Sequence, residues 1–103
     1  MGLKPRAANT VVVENVNVPD YRGRVDGTKY ADMKQALLQV LPPADHPGLT
    51  QAEMMAAVKP HLSRSLFPGG KTSGWWVKAV HLDLEAKGAV QRDGGKPLRW
   101  RLG

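Results

Sequence analysis

The sequence predicts an α+β fold, a winged helix-turn-helix with three helices, a C-terminal β-hairpin wing and an extended N-terminal arm. Three segments with the apolar spacing of helices follow one another between residues 28 and 88. Gly88 then stops the third segment, as glycine commonly does after a helix. A short alternating strand pair rich in arginine closes the chain. This order presents a helix and a charged loop side by side, which is a common way to contact DNA.

The composition fits one small globular domain. The chain has 103 residues, of which 42% are hydrophobic and 23% are charged. It contains no cysteine, which excludes disulfides and thiolate metal sites. No apolar run has the length of a membrane span, and the first residues lack the apolar core of a signal peptide. We therefore expect a cytoplasmic protein with no membrane partner.

The net charge of +6 lies mainly at the two ends of the chain. Residues 87–103 carry five basic residues against one acid, whereas residues 25–86 carry six of each. A basic cluster of this kind is typical of a polyanion-binding protein. It is also found in small proteins that are kept soluble by their charge, and the charge alone leaves both interpretations open.

The chain divides into an extended N-terminal arm over residues 1–27 and a winged-helix domain over residues 28–103. Within the arm, Thr10 to Val13 have strand propensity, and Val16 and Val18 alternate with asparagines. Pro19 ends this pattern, and the residues after it are turn-like. We expect at most a short edge strand here.

Capping signals mark the first two helices. The first should run from Lys29 to Leu41 with Thr28 as its N-cap, ending before two prolines. The second should begin at a capping box, in which Thr50 and Glu53 exchange side-chain-to-backbone hydrogen bonds. Pro60 should end or kink it early. Leu49, just before the box, is a candidate for the short strand that winged helices pair with the wing.

The third helix should start at Thr72 or Ser73, either of which can cap it, and end near Gly88. At 100° per residue it has two apolar sides. The first, assigned to the core, is formed by Trp76, Val77, Val80 and Leu84. The second is formed by Trp75, Ala79, Leu82 and Ala86. The hairpin, the N-terminal arm or a second copy of the chain could cover this second stripe.

Seven basic side chains are candidates for contact with nucleic acid. On the third helix, Gly74 would let a phosphate approach a polar stripe, although acidic residues nearby oppose one. On the hairpin, arginines suit bidentate phosphate contact. A solvated helix face and an edge strand protected by charge are the alternatives. The candidates are Lys71, Lys78 and His81 on the helix, and Arg92, Lys96, Arg99 and Arg101 on the hairpin.

Catalytic, metal and cofactor sites are not expected. The Gly70-Lys71-Thr72 run matches the end of a nucleotide-binding loop, but that pattern requires an earlier glycine where this chain has Ser65. The three histidines are scattered and no cysteine accompanies them, which argues against a metal site. No arrangement of nucleophile, base and carboxylate indicates an enzyme.

Three segments resemble a family of small uncharacterised bacterial proteins, known only as a domain of unknown function. The segments read GLTQAEMMAAV, FPGGKTSGWWVKAVHLDLEAKG and KPLRWRL, and the likeness covers residues 27–102. The resemblance implies a winged-helix-like fold in a bacterial cytosolic protein, and it implies no activity. The long connection over residues 63–70 and the acids on the third helix depart from the usual winged-helix regulator.

Two functions remain for the chain. The first is non-enzymatic binding of double-stranded DNA through the third helix and the basic wing. The alternative is a protein-interaction or dimerisation module that uses the stripe of Trp75, Ala79 and Leu82 together with the N-terminal arm. Under the alternative the partner is another protein or a second copy of the chain.

Overall fold

In a computed structural model, which describes residues 9–103, the chain forms an α+β fold of three α-helices and two small antiparallel sheets. The predicted α+β class and the number of helices are confirmed in this part of the chain. In chain order the elements are β1 (Thr10–Asn15), β2 (Val18–Asp26), α1 (Gly27–Val40), α2 (Gln51–Val58), α3 (Ser73–Ala86), β3 (Val90–Asp93) and β4 (Arg99–Leu102).

Strands β1 and β2 form the longer of the two hairpins, which corrects the prediction of an extended arm. Thr10 pairs with Asp26 and Asn15 pairs with Val18, with a shift of register around Glu14. The hairpin forms because β1 packs on α3 and buries Val13 there. Residues 1–8 of the predicted arm lie outside the described residues, and the boundary near residue 27 stays a prediction.

The helix starts follow local hydrogen bonds. The N-cap of α1 is Asp26, whose carboxylate accepts from the backbone N–H groups of Thr28 and Lys29, so the prediction of Thr28 as the cap was wrong. The carboxylate at the end of β2 thus also starts the helix. The capping box of α2 is confirmed, with Thr50 and Glu53 bonded in both directions. Helix α2 ends at Val58, before a 3₁₀ turn that contains Pro60.

The core lies between the three helices and the C-terminal strands. Helix α3 contributes the predicted apolar face, and Phe67 from the loop between α2 and α3 is also buried. Trp100 is buried as predicted for the second strand of the hairpin. The fully buried members of this core include Met33, Leu37, Met54, Val58, Val77, Val80, Leu84 and Val90.

Strands β3 and β4 form the second sheet, which is short and closely held. Val90 pairs with Leu102 and Asp93 with Arg99. On its other side Trp100 forms an antiparallel bridge with Leu49, as proposed from the sequence. Gly48 lies beside this bridge, where a side chain would collide with the backbone of Trp100. Because β1 and β2 are longer than β3 and β4, the prominent hairpin of the fold is N-terminal. This corrects the prediction of a C-terminal wing.

Candidate interaction groove

Helix α3 is the element around which the candidate site is built. Its C-terminal end is the predicted glycine stop, because Gly88 has φ +84° and donates to Glu85. Its start at Ser73 is as predicted, but the predicted capping by a hydroxyl is wrong. Thr72 stands at the N-cap position with φ +61° and bonds to the carbonyl of Lys71, and Ser73 bonds to the carbonyl of Gly70, so neither hydroxyl caps the helix.

A groove of about 390 Å³ runs between the N-terminal hairpin and α3. We call it the hairpin–helix groove. The stripe predicted for protein contact forms its helix wall, and this wall is only partly covered by the hairpin. Leu82 is buried, Ala79 is half-buried and Trp75 is 58% exposed. The lining residues are Val13, Glu14, Asn15, Val18 and Tyr21 from the hairpin, and Trp75, Lys78, Ala79 and Leu82 from α3.

Asp83 fixes the hairpin wall against the helices. Its fully buried carboxylate accepts hydrogen bonds from the backbone N–H of Glu14 at 2.8 Å, from the Tyr30 hydroxyl and from the Lys87 ammonium at 2.9 Å. The irregular register at Glu14 turns its N–H from β2 towards this carboxylate. Burial and the neighbouring Asp83 raise the pKa of Tyr30, so its hydroxyl stays a donor.

His81 lies inside the protein, which corrects its predicted place on an exposed reading face. It is 1% exposed, its Nε2 lies 2.6 Å from the amide oxygen of Gln51, and its ring lies 4.5 Å from that of Trp100. Its Nδ1 is buried without a hydrogen-bond partner in the described part of the chain. Burial, with Arg92 and Lys78 nearby, lowers the pKa of His81 to about 4, so the ring is neutral at pH 7.

The three arginines predicted for phosphate contact each pair with an acid of the same chain. Arg92 forms an ion pair with Glu85, in which Nη2 donates a hydrogen bond to Oε1 at 3.0 Å and Nε lies 3.0 Å from Oε2. Glu85 also accepts a hydrogen bond from the indole of Trp100 at 2.9 Å. Arg99 lies 3.2 Å from Glu53, and Arg101 lies 3.0 Å from Asp93. The backbone N–H of Thr50, together with Arg99, lowers the pKa of Glu53. These pairs reduce the charge that the C-terminal strands offer to a polyanion.

The three predicted lysines are the basic candidates that stay exposed. Lys71, Lys78 and Lys96 form no ion pair with another residue of the described range 9–103. Gly74 was expected to let a phosphate approach the helix, but it lies against the Met55 side chain of α2. A side chain at this position would come within 2.8 Å of the Met55 methyl group, so the glycine lets α2 and α3 pack closely.

Among residues 9–103, no three His, Asp or Glu side chains come together as ligands for a metal ion. No helix in the same range has the length and apolar character needed to cross a bilayer.

Residues 10–100 match a protein family described as a family of unknown function (DUF6958). The chain belongs to DUF6958. Neither a curated protein nor a solved structure matches it. The resemblance to a family of unknown function is thereby confirmed, whereas the winged-helix-like fold and bacterial source that it implied stay predictions.

In this DUF6958 chain the sequence indicates the individual residues of the helix wall, but for the other wall it indicates only the N-terminal arm. Trp75, Ala79 and Leu82 were recognised because they share one side of a helix at 100° per residue. Val13 and Tyr21 were missed, because their place depends on the pairing of β1 with β2. The available signal was the run of three valines from Val11 to Val13, whose strand propensity is high.

Proposed function

We propose that this DUF6958 chain is a non-enzymatic protein-interaction module that binds an apolar protein segment in the hairpin–helix groove. The observation that carries the proposal is Trp75, a large aromatic side chain left 58% exposed in a concave surface. Tryptophan and tyrosine are the side chains that most often dominate protein interfaces. In the groove, Trp75 and Tyr21 stand on different elements that the fold has already positioned.

The shape and the chemistry of the groove support a protein ligand. Its volume of about 390 Å³ lies in the range of binding clefts, and most of its lining is apolar. Val18 at 49% exposure and Tyr21 at 43% extend the apolar surface from the groove along the hairpin. An apolar segment seated there would remove these side chains from water, which is the main favourable term in protein association.

Selection from a displayed random-peptide library tests the proposal directly. We expect the folded chain to enrich peptides with apolar side chains, and we expect Trp75→Ser to lose at least about tenfold in affinity for them. Leu38→Ser is the matched control, because Leu38 is a 39% exposed apolar residue of α1 that does not line the groove. No enrichment, or equal losses in the two variants, would rule out the groove as a protein-binding site.

Binding of double-stranded DNA is a second candidate, which a different observation favours. The bridge between Leu49 and Trp100 places a short strand between α1 and α2 and beside the last sheet. The resulting order of helix, short strand and two further helices supports a helix-turn-helix arrangement, with the last two strands packed beside it. Because Arg92, Arg99 and Arg101 are engaged with acids, contact through Lys71, Lys78 and Lys96 is favoured.

Salt dependence and one triple variant test the DNA candidate. If three lysines each neutralise a phosphate, the logarithm of the association constant should fall with the logarithm of salt concentration at a slope near about −3. Replacing Lys71, Lys78 and Lys96 by glutamine should abolish that binding in a mobility-shift assay. Lys34→Gln, an exposed lysine of α1, should leave it unchanged. No shift of duplex DNA at low salt would eliminate this candidate.

A further inference from the structure

We infer that the occupant of the hairpin–helix groove is the same groove of a second copy of the chain, in a two-fold dimer joined by reciprocal contacts of Glu14 with Lys78. The inference rests on the proposed function, since it requires the groove to be a protein-binding site. It goes further by naming the partner and the two charged side chains that determine the pairing. Four observations lead to it.

The first observation is the charge of the groove. Its lining holds one acid, Glu14, and one base, Lys78. Neither side chain forms an ion pair with another residue in the range 9–103. A groove for an acidic or a basic partner would carry charges of one sign. A groove with one charge of each sign is complementary to itself.

The second observation is geometric. In a two-fold interface the same patch is used by both copies, so a contact of residue i with residue j occurs twice. Glu14 stands on the hairpin wall and Lys78 on the helix wall. When two grooves face each other, the hairpin wall of each copy lies against the helix wall of the other. Glu14 of each copy then meets Lys78 of the other copy. Both unpaired charges are then neutralised.

The third observation concerns the hairpin itself. Among residues 9–103 its two strands pair with no third strand, so the hairpin depends on the packing of β1 against α3 for support. The hairpin exposes Val12, Val16, Val18 and Tyr21 by 36% to 49%. Val18 and Tyr21 line the groove, whereas Val12 and Val16 lie outside its lining. The hairpin therefore offers apolar side chains both in the groove and beyond it, and a second copy could cover both sets.

The fourth observation is that the groove has balanced charges, whereas the chain as a whole carries a net positive charge. Each copy carries a net charge of +6, which opposes association of two identical chains. At physiological salt the Debye length is about 8 Å, so distant charges are screened while charges in contact are not. Because the groove has balanced charges, it is a place where two copies can meet without direct repulsion.

Charge reversal tests the dimer. Sedimentation velocity should show a dimer of the wild-type chain at high concentration. Glu14→Lys and Lys78→Glu should each raise the dissociation constant at least about tenfold, because each places two like-charged contacts in the interface. An equimolar mixture of the two single variants should form a heterodimer, since both contacts are then between opposite charges. The double variant should dimerise like the wild type.

The mixture distinguishes contact between copies from contact within one chain. If Glu14 and Lys78 acted within a single chain, the double variant would recover but the mixture would not. Asp45→Lys and Lys34→Glu are the matched controls, because they reverse exposed charges away from the groove and should leave dimerisation unchanged. Circular dichroism should show that every variant is folded.

Three results would overturn the dimer. They are a wild-type chain that stays monomeric at about 1 mM, a mixture that sediments like its separate components, and control variants that weaken the dimer equally. If selected peptides still bind in the groove of such a monomer, the proposed function stands and only the identity of the occupant is wrong. If no peptide binds either, both proposals fail.

Discussion

At the residue scale, burial decides what a charged or titratable side chain does. His81 and Lys78 lie one turn apart on α3, and the sequence suggested the same role for both. The fold gives them different roles, because His81 is enclosed by Gln51 and Trp100 whereas Lys78 stays exposed at the groove. The neutral histidine is a structural residue, and this has a measurable consequence for stability.

We expect the stability of the protein to fall between pH 6.5 and pH 4 because of His81. Its pKa is about 4 in the folded protein, while an unfolded histidine titrates near about 6.5. As the pH falls through this window, the unfolded chain binds a proton that the folded chain cannot bind. The free energy of unfolding therefore decreases, by up to about 1.4 kcal/mol per pH unit, and this effect is absent above pH 7.

Urea unfolding of the wild type and of His81→Gln, measured from pH 4 to pH 7.5, checks this expectation. The variant should show a shallower pH dependence within the window, even if its overall stability is lower. Carboxylates and the exposed His46 and His61 contribute equally to both proteins, so the difference in slope belongs to His81. Identical slopes would show that the buried ring titrates normally.

The two adjacent tryptophans should respond very differently to the same substitution. Trp76 is 7% exposed and packs edge-on against Phe67, so Trp76→Ala should cost about 3–5 kcal/mol of unfolding free energy. Trp75 is 58% exposed, so Trp75→Ala should cost less than about 1 kcal/mol. Urea unfolding at pH 7 measures both. Equal losses would mean that Trp75 is a core residue and that the groove has no free aromatic wall.

At the element scale, the hairpin depends on one buried carboxylate. Asp83→Ala removes both oxygens of the carboxylate that serves Glu14, Tyr30 and Lys87. We expect a loss of about 2–4 kcal/mol and faster hydrogen exchange at the Glu14 amide, because β1 is no longer fixed to α3. Asp20→Ala, at an exposed acid of β2, is the control and should change neither quantity. Unchanged exchange at Glu14 would show that the hairpin is held by apolar packing alone.

The elements that the sequence predicted well are those determined by local signals. The capping box at Thr50, the end of α2 before Pro60 and the glycine stop at Gly88 depend on residues a few positions apart. Strand β2 was missed because Pro19, Asp20 and Gly23 are poor strand formers. It forms through pairing with β1 and the packing of β1 on α3, which are contacts that no local pattern contains.

In the candidate site too, features set by local spacing could be predicted, whereas contacts between residues distant in the sequence could not. The helix wall of the groove follows from the angular spacing of Trp75, Ala79 and Leu82 along one helix. The pairing of Arg99 with Glu53 joins residues 46 positions apart, so the alternating arginines suggested a free basic strand. Their acid partners are on α2, on α3 and in β3, and only the packed structure brings them together.

At the scale of the whole molecule, most of the acids are engaged by other groups of the same chain, whereas most of the basic side chains among residues 9–103 are exposed. Seven of the nine acids hold an ion pair or accept a hydrogen bond, namely Asp26, Asp32, Asp45, Glu53, Asp83, Glu85 and Asp93. Lys71, Lys78 and Lys96 are exposed and form no ion pair within residues 9–103, so part of the net charge of +6 is available at the surface. Glu14 is one of the two acids outside this set, and it is the one that lines the groove.

The radius of gyration of the protein in solution provides a test of the dimer. The Cα atoms have a radius of gyration of 14.1 Å, close to the value of about 13 Å expected for a compact chain of this length. Two copies joined through the groove should have a radius of gyration of at least about 17 Å. Small-angle X-ray scattering over a dilution series should therefore show a value that rises with protein concentration towards that of the dimer.

Trp75→Ser should stay near the monomer value over the same series, because it removes the main exposed apolar side chain of the groove. Leu38→Ser should behave like the wild type, since Leu38 lies outside the groove. A wild-type radius that is independent of concentration, or one that rises equally in the Trp75 variant, would contradict association through this surface. The radius of gyration thus tests whether the exposed Trp75 and the opposite charges of Glu14 and Lys78 lead two copies to associate.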